Sequence, residues 1–268
     1  MNKSDVIDQQ YLLGEQYKDA CNFNTRLRMI QNLGKEPLNW YPWIFSQIKK
    51  TPGSRVLELG CGPGHLWQEN LKLIPPDWDI TLSDFSPGML KDTQSTLDHH
   101  GQHFSFQVID AQEIPFEDAS FDILIANLVL YHVPDRSRAF SEIRRVLKPG
   151  GIFYAGTVTE AALTDLEPLT SAAGMPSGDS VLSFSLENGE RQLTPWFSHV
   201  ACKRLDTTLA ITKVEPLVTY IRSTTPQCQS SETKFQRLRE IIQQELSRNG
   251  EIHLGMDIAL FESSNAPF

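Results

Sequence analysis

Basic residues are scarce in this chain. Lys and Arg number 24 against 33 Asp and Glu, giving a formal net charge of −9 over 268 residues. A nucleic-acid binder normally carries a basic footprint, so no nucleic-acid partner is expected. Cysteine is scarce too. Cys21, Cys61, Cys202 and Cys228 lack the paired spacing of a zinc site or a secreted disulfide framework. Reduced thiols in a cytoplasmic protein are the reading that follows. The most apolar run, Ile123 to Tyr131, is interrupted by Asn127 and falls far short of the about 20 residues that a membrane span needs. The N-terminal stretch MNKSDVIDQQ is polar, with no apolar core of a secretory signal. There is no repeat and no low-complexity tract.

Hydrophobic residues are not scarce. At 40% of the chain they suffice for a sizeable core. From Arg55 to Val158 apolar strands alternate with helical patterns. Arg55–Gly60 reads as a strand, followed by a helix carrying Leu66, Trp67, Leu71 and Ile74. Asp79–Asp84 is a second strand, and Ser86-Pro87 then supplies an N-cap and a proline at the first helical position. Phe104–Asp110 is a third strand. Phe121–Ala126 is a fourth, apolar enough to be covered on both faces. Asp135 can cap a helix whose Ala139, Phe140, Ile143, Val146 and Leu147 fall on one stripe. Lys148-Pro149-Gly150-Gly151 ends it, and Ile152–Val158 is a fifth strand.

This alternation predicts an α/β, Rossmann-like, doubly wound sheet with its strand C-termini along one edge, where ligands bind. Residues 1–50 show no strand pattern and many aromatics, and read as a helical N-terminal cap on a domain spanning 51–268. Residues 159–180 read as an insertion, a candidate lid on the substrate side. Val200–Thr212 and Ile252–Phe261 are strand-like, and Glu232–Arg248 is an amphipathic helix.

The stretch VLELGCGPGHL places Gly60, Gly62 and Gly64 after the first strand. The dinucleotide fingerprint puts its third glycine one position later, where His65 stands here. Glu58 lies two residues before the first glycine. A carboxylate there disfavours a pyrophosphate and favours a ligand with a cationic tail. Asp84, at the end of the second strand, is placed to accept hydrogen bonds from ribose hydroxyls. Asp110, at the end of the third, can accept from an exocyclic amine such as that of adenine. A nucleoside with a positive tail and no phosphate fits this set, and S-adenosylmethionine is such a molecule. Each feature alone has a plainer explanation, as a tight turn or a helix cap. Their meeting on one sheet edge is what points to a site.

VLELGCGPG, ITLSDFSPGML, VIDAQEIPFEDASFDILIANLVLYHVPD and EIRRVLKPGG together resemble the class I S-adenosylmethionine-dependent methyltransferases, in particular the small-molecule branch with a ubiquinone/menaquinone-biosynthesis type of core. The resemblance covers roughly residues 51–158. It implies a seven-stranded, mostly parallel sheet whose last strand is antiparallel, supplied by Ile252–Phe261, with Val200–Thr212 as the sixth. It sets the cofactor's methionine end against Glu58, Gly60, Cys61, Gly62 and Gly64. It sets the ribose on Asp84, with Phe85 and Met89 nearby, and the adenine on Asp110, Ala111 and Gln112. Asn127 and Leu128 would line the methionine side, with Tyr131 and His132 facing the acceptor. Tyr17, Asn24 and Arg26 would come from an N-terminal lid.

The activity implied is methyl transfer to a small acceptor, aromatic or otherwise apolar. No Asn-Pro-Pro-Tyr-like tetrapeptide follows the fourth strand, which again disfavours a nucleic-acid acceptor. A methyl on a sulfonium is already activated, so the protein has mainly to align the reactants and exclude water. A base is required only where the acceptor must lose a proton, and His132 is the candidate, with Tyr131 beside it. Both also read as plain lining residues. His99, His100 and His103 lack a partner set for a metal, so no metal is expected. Cys61 is explained by small size, and Trp40-Tyr41-Pro42-Trp43 by packing or by stacking on a flat acceptor. The competing functions are a nucleotide-linked oxidoreductase and a non-catalytic S-adenosylmethionine-binding module.

Overall fold

The computed structural model describes residues 8–34, 38–98, 103–175, 182–224 and 231–265. His99, His100, Cys228 and the last part of the 159–180 insertion lie outside them. In chain order the first helix, α1 (Gln9–Tyr11), continues as a π-helical turn, Leu12–Gln16. α2 (Ala20–Gln31) and α3 (Tyr41–Gln47) follow. The alternating part comprises β1 (Arg55–Leu59), α4 (His65–Gln68), β2 (Asp79–Asp84), α5 (Pro87–Leu97), β3 (Phe104–Val108), β4 (Phe121–Asn127), α6 (Arg136–Val146) and β5 (Leu147–Val158). Then come α7 (Ala161–Ala172), α8 (Gly189–Leu193), β6 (His199–Leu205), β7 (Thr208–Ile211), α9 (Val214–Thr224), α10 (Glu232–Asn249), β8 (Ile252–Gly255) and β9 (Ile258–Ser264).

Seven strands form one sheet in the order β3-β2-β1-β4-β5-β9-β6. Pairings from β3 through β5 are parallel, and β9 runs antiparallel to both neighbours. Strand order reverses between β1 and β4, which opens a crevice at their C-terminal ends. Both faces of the sheet are covered, as the near-continuous apolarity of β4 requires. Ile123 and Ile125 join a core with Leu66, Trp67, Leu90 and the α2 and α3 side chains. Leu124 and Ala126 join the opposite core with Phe140, Ile143 and Phe197. The N-terminal helices therefore share the main core, with Tyr41, Ile44 and Phe45 buried in it.

The local signals sit where the sequence puts them. Ser86 Oγ accepts from Met89 N at 3.2 Å, with Pro87 opening α5. Asp135 Oδ1 accepts from Arg138 N at 3.0 Å and caps α6.

Several expected elements differ. β5 begins at Leu147, so Lys148-Pro149-Gly150-Gly151 lies within the strand rather than ahead of it. The helix after β1 is only four residues long and gives way to a 3₁₀ turn, Leu71–Leu73. The two late strands each split. Ile252–Gly255 leaves the main sheet to pair with Thr208–Ile211, and the final sheet strand begins only at Ile258. The break falls at Asp257, whose carboxylate accepts from Thr207 N at 2.7 Å and pairs with Arg204. A buried carboxylate needs such partners, and satisfying it turns both chains at this corner.

Among the described residues, no helix is long and apolar enough to cross a membrane.

Candidate cofactor and acceptor site

A crevice opens at the strand C-termini, holding roughly 1070 Å³ of space with its open solvent included. Its floor is the loop after β1. Gly60, Gly62 and Gly64 all have positive φ, at 71°, 54° and 83°. At Gly60 the reason is also spatial, since a Cβ would come within 2.5 Å of the Val129 side chain.

Glu58, Asp84 and Asp110 all line this crevice. Glu58 is 1% exposed and accepts a hydrogen bond from Trp67 Nε1. Burial pushes its carboxyl up to about 8; the Trp67 bond opposes the shift and the charge of Asp84 adds to it. Asp84 accepts from Gly62 N at 2.9 Å and Ser86 N at 2.8 Å. Burial raises it to about 6 against the pull of those backbone donors. Asp110 accepts from Gln112 N at 2.9 Å, from the Gln112 amide, and from Gln9 Nε2 at 3.2 Å.

Gly60, Cys61, Gly62, Phe85, Met89 and Ala111 line the same space, as do Asn127, Leu128, Tyr17, Tyr131 and His132. Asn127 is buried, and its Oδ1 has no hydrogen-bond partner. Leu128 holds a left-handed φ of 57°, an uncommon conformation for a leucine, while its N–H donates to Gly156 O at 2.9 Å. The Cys61 thiol is buried and pushed well up in pKa by that burial, which suits a packing residue better than a nucleophile.

Four expected residues do not reach the crevice wall. Gly64 caps α4 and lies against α5, where a Cβ would meet Thr93 at 2.9 Å. Gln112 stands behind Asp110 and orients it. Asn24 Oδ1 accepts from His65 Nε2, 2.8 Å away. Arg26 sits behind Tyr17, next to Gln16, with its buried Nε unpartnered. The described part of the 159–180 insertion also lines none of this space. Its α7 joins the core formed with α9 and α10, and Asp165 accepts from Gly255 N at 2.8 Å. The roof comes from the N-terminus instead, through Gln9, Leu12, Leu13, Tyr17 and Phe23. Apart from Tyr17, these are ordinary helix residues that no spacing rule marks. Of the Trp40–Trp43 cluster, only Tyr41 reaches the crevice.

Residues 57–155 match the family model of the methyltransferase domain. Over this stretch the chain is similar to methyltransferase domains. Among curated relatives, the malonyl-[acyl-carrier protein] O-methyltransferase of Serratia marcescens is 32% identical over 167 residues, covering 61% of this chain and 58% of that one. A ubiquinone/menaquinone biosynthesis C-methyltransferase of Xanthomonas axonopodis pv. citri is 30% identical over 146 residues, covering 54% and 57%. The chain thus spans a little over half the length of these two relatives. Among solved structures, phosphoethanolamine N-methyltransferase 2 of Haemonchus contortus, in complex with S-adenosyl-L-methionine, superposes with a TM-score of 0.60 at 18% identity, covering 97% and 60%. The YcgJ protein of a Bacillus gives 0.57 at 20%, covering 85% and 98%. At such identities the likeness is one of fold. Within the matched stretch the glycine loop and the reversal point of the sheet coincide, so the crevice lies where an open α/β sheet takes its ligand.

Proposed function

We propose that this protein is an S-adenosylmethionine-dependent methyltransferase acting on a small, largely apolar or aromatic acceptor. One observation carries the reading: three successive strand ends bring Glu58, Asp84 and Asp110 to a single glycine-floored crevice. The fit extends to the unpaired Asn127 Oδ1, a buried acceptor suited to the ammonium of the methionine moiety. Asp84 retains lone pairs for ribose hydroxyls beyond its two backbone donors, and Asp110 faces the adenine end.

When bound, the cofactor supplies a methyl group on a positively charged sulfur. The chain's own part is to hold the reactants in line and dry. Leu12, Leu13, Phe23, Tyr41, Leu128 and Tyr131 give the crevice its apolar wall, and no Lys or Arg is among its lining residues. That wall suits an uncharged ring or chain better than a polyanion. We set the reaction in the cytoplasm, in keeping with the free thiols of Cys21, Cys61 and Cys202.

Isothermal calorimetry with S-adenosylhomocysteine and with NADH tests the cofactor, and transfer of labelled methyl to a panel of phenols, enols and acyl acceptors tests the reaction. Binding of NADH alone would overturn the proposal. Binding of S-adenosylhomocysteine with no transfer to any acceptor would reduce the protein to a cofactor-binding module.

A further inference from the structure

Trp67 Nε1 donates to Glu58 Oε2 at 2.5 Å, and both residues are buried. An indole can only donate, so chemistry alone settles the direction of this bond. Each group satisfies the other, because a buried N–H needs an acceptor and a buried carboxyl needs a donor. The second carboxyl oxygen, Oε1, accepts no hydrogen bond among the described residues, yet it is not sealed from solvent as Asn127 Oδ1 is. Glu58 lines the crevice and Trp67 does not. One oxygen is thus committed to the fold, and the other is left for what enters.

Both ends of the bond are held in place. Gly64 caps the short α4 with a φ of 83°, and the Trp67 N–H donates to its carbonyl at 3.1 Å. The indole ring meets Phe45 of α3 edge-on at 6.0 Å and Phe104 of β3 edge-on at 5.9 Å. In a close-packed core the ring cannot turn away from Glu58 without displacing them. The Glu58 backbone is fastened as well, since Ser83 Oγ donates to its carbonyl at 2.6 Å. The titratable groups facing the Glu58 carboxyl are Asp84 at the end of β2, Cys61 in the glycine loop and Tyr41 on α3, with His65 behind Tyr41 at 5.8 Å between rings.

We infer that Trp67 is a positioning residue for the cofactor: its indole N–H holds Glu58 with Oε1 turned to the cationic end of the ligand, and shares the carboxylate's charge once that end is bound. The inference rests on the S-adenosylmethionine reading of the crevice. Trp67 itself touches no ligand. An ammonium arriving beside Glu58 ionises the carboxyl, and the proton leaves to solvent. The charge that remains is stabilised by the indole, in a bond stronger than the one it makes to the neutral acid. Without that N–H, burial and the charge of Asp84 act on Glu58 unopposed, and ionising it becomes harder. The contribution of Trp67 therefore belongs to ligands that carry a cation at this end. A nucleoside without one gains nothing from it.

The test uses the full chain and calorimetry with S-adenosylhomocysteine across neutral and alkaline pH. Trp67→Phe keeps an aromatic ring and removes the donor. Its affinity is expected to fall about three- to tenfold near pH 7, and the gap to close as pH rises beyond the range in which Glu58 ionises in both proteins. The ligand's own titration cancels in this ratio. Loss of packing alone would weaken binding by one factor at every pH. Phe45→Leu, which loosens the packing on Trp67 but keeps the donor, should show such a flat ratio. 5′-Methylthioadenosine keeps the nucleoside and lacks the ammonium, so it should bind the parent and Trp67→Phe alike. A flat ratio for Trp67→Phe, or an equal loss with 5′-methylthioadenosine, would overturn the assignment. If Trp67→Phe does not fold, NMR of the parent decides. One of the indole N–H signals of the five tryptophans should titrate with pH, shift on addition of S-adenosylhomocysteine, and stop titrating in Glu58→Gln. No signal behaving so would overturn the assignment while leaving the cofactor site intact. Failure of the parent to bind S-adenosylhomocysteine would instead remove the methyltransferase reading itself.

Discussion

The Gly62 N–H donates to Asp84 Oδ2 at 2.9 Å, fastening the glycine loop of β1 to the end of β2. The carboxylate's other oxygen accepts from Ser86 N at 2.8 Å, at the cap of α5. One side chain thus sets the loop, the strand end and the helix start, and these are three walls of the crevice.

Asp84→Asn should therefore act on both structure and binding. The amide keeps one accepting oxygen but turns an N–H₂ toward a backbone donor. Loss of one charge-assisted bond is expected to cost about 1.5–3 kcal/mol, and affinity for S-adenosylhomocysteine should fall at least about tenfold. Calorimetry with unchanged affinity would take Asp84 out of the site.

Glu58 gives a pH signature. Its folded carboxyl is raised from 4.5 to about 8, and that of Asp84 from 3.8 to about 6. For a carboxyl raised by folding, the protonated form is the one the fold favours. The associated stability is complete below the unfolded value and is lost as pH climbs through the folded one. The unliganded protein should lose stability from Asp84 between about pH 4 and 6, and from Glu58 between about pH 4.5 and 8. Glu58→Gln should flatten the upper part of that slope, a difference on the order of a few kcal/mol at the alkaline end. Urea unfolding across pH checks it.

A ligand ammonium beside Glu58 should also expel its proton. Calorimetry of S-adenosylhomocysteine near pH 7, in two buffers of different ionisation enthalpy, should show proton release in the parent and less in Glu58→Gln. Equal proton counts would show that Glu58 does not face the cationic end.

Gly60→Ala combines two penalties. The residue needs a φ of 71°, and the new Cβ would lie 2.5 Å from Val129 Cγ2. Left-handed strain and overpacking together predict a loss of about 2–5 kcal/mol and a distorted cofactor loop. Adding Val129→Ala should restore part of the stability, since it relieves the clash but not the strain. No recovery in the double variant would mean that the backbone conformation alone decides.

Asp257→Ala should leave the Thr207 N–H and the Arg204 guanidinium without their shared partner at the corner where β6 passes to β7. A cost of about 2–4 kcal/mol is expected, read as a lower urea midpoint with an unchanged slope. Cofactor affinity, measured in the same samples, should change little because Arg204, Thr207 and Asp257 are not among the residues that line the crevice. A large loss of affinity at unchanged stability would contradict that separation.

The sequence by itself determined the alternating sheet, the glycine loop, the helix caps at Ser86 and Asp135, and the carboxylates at three strand ends. These depend on periodicity and on backbone rules that act over a few residues, so neighbours in sequence suffice to reveal them. Only the tertiary structure decided that Trp67 donates to Glu58, that Gln9 reaches Asp110, that Tyr17 meets His132, and that Gln9, Leu12, Leu13 and Phe23 join Tyr17 over the crevice. It also decided the splitting of the late strands at Asp257. Pairings between distant residues are fixed by how whole elements pack and by the need to satisfy each buried polar group, and no local pattern carries that information.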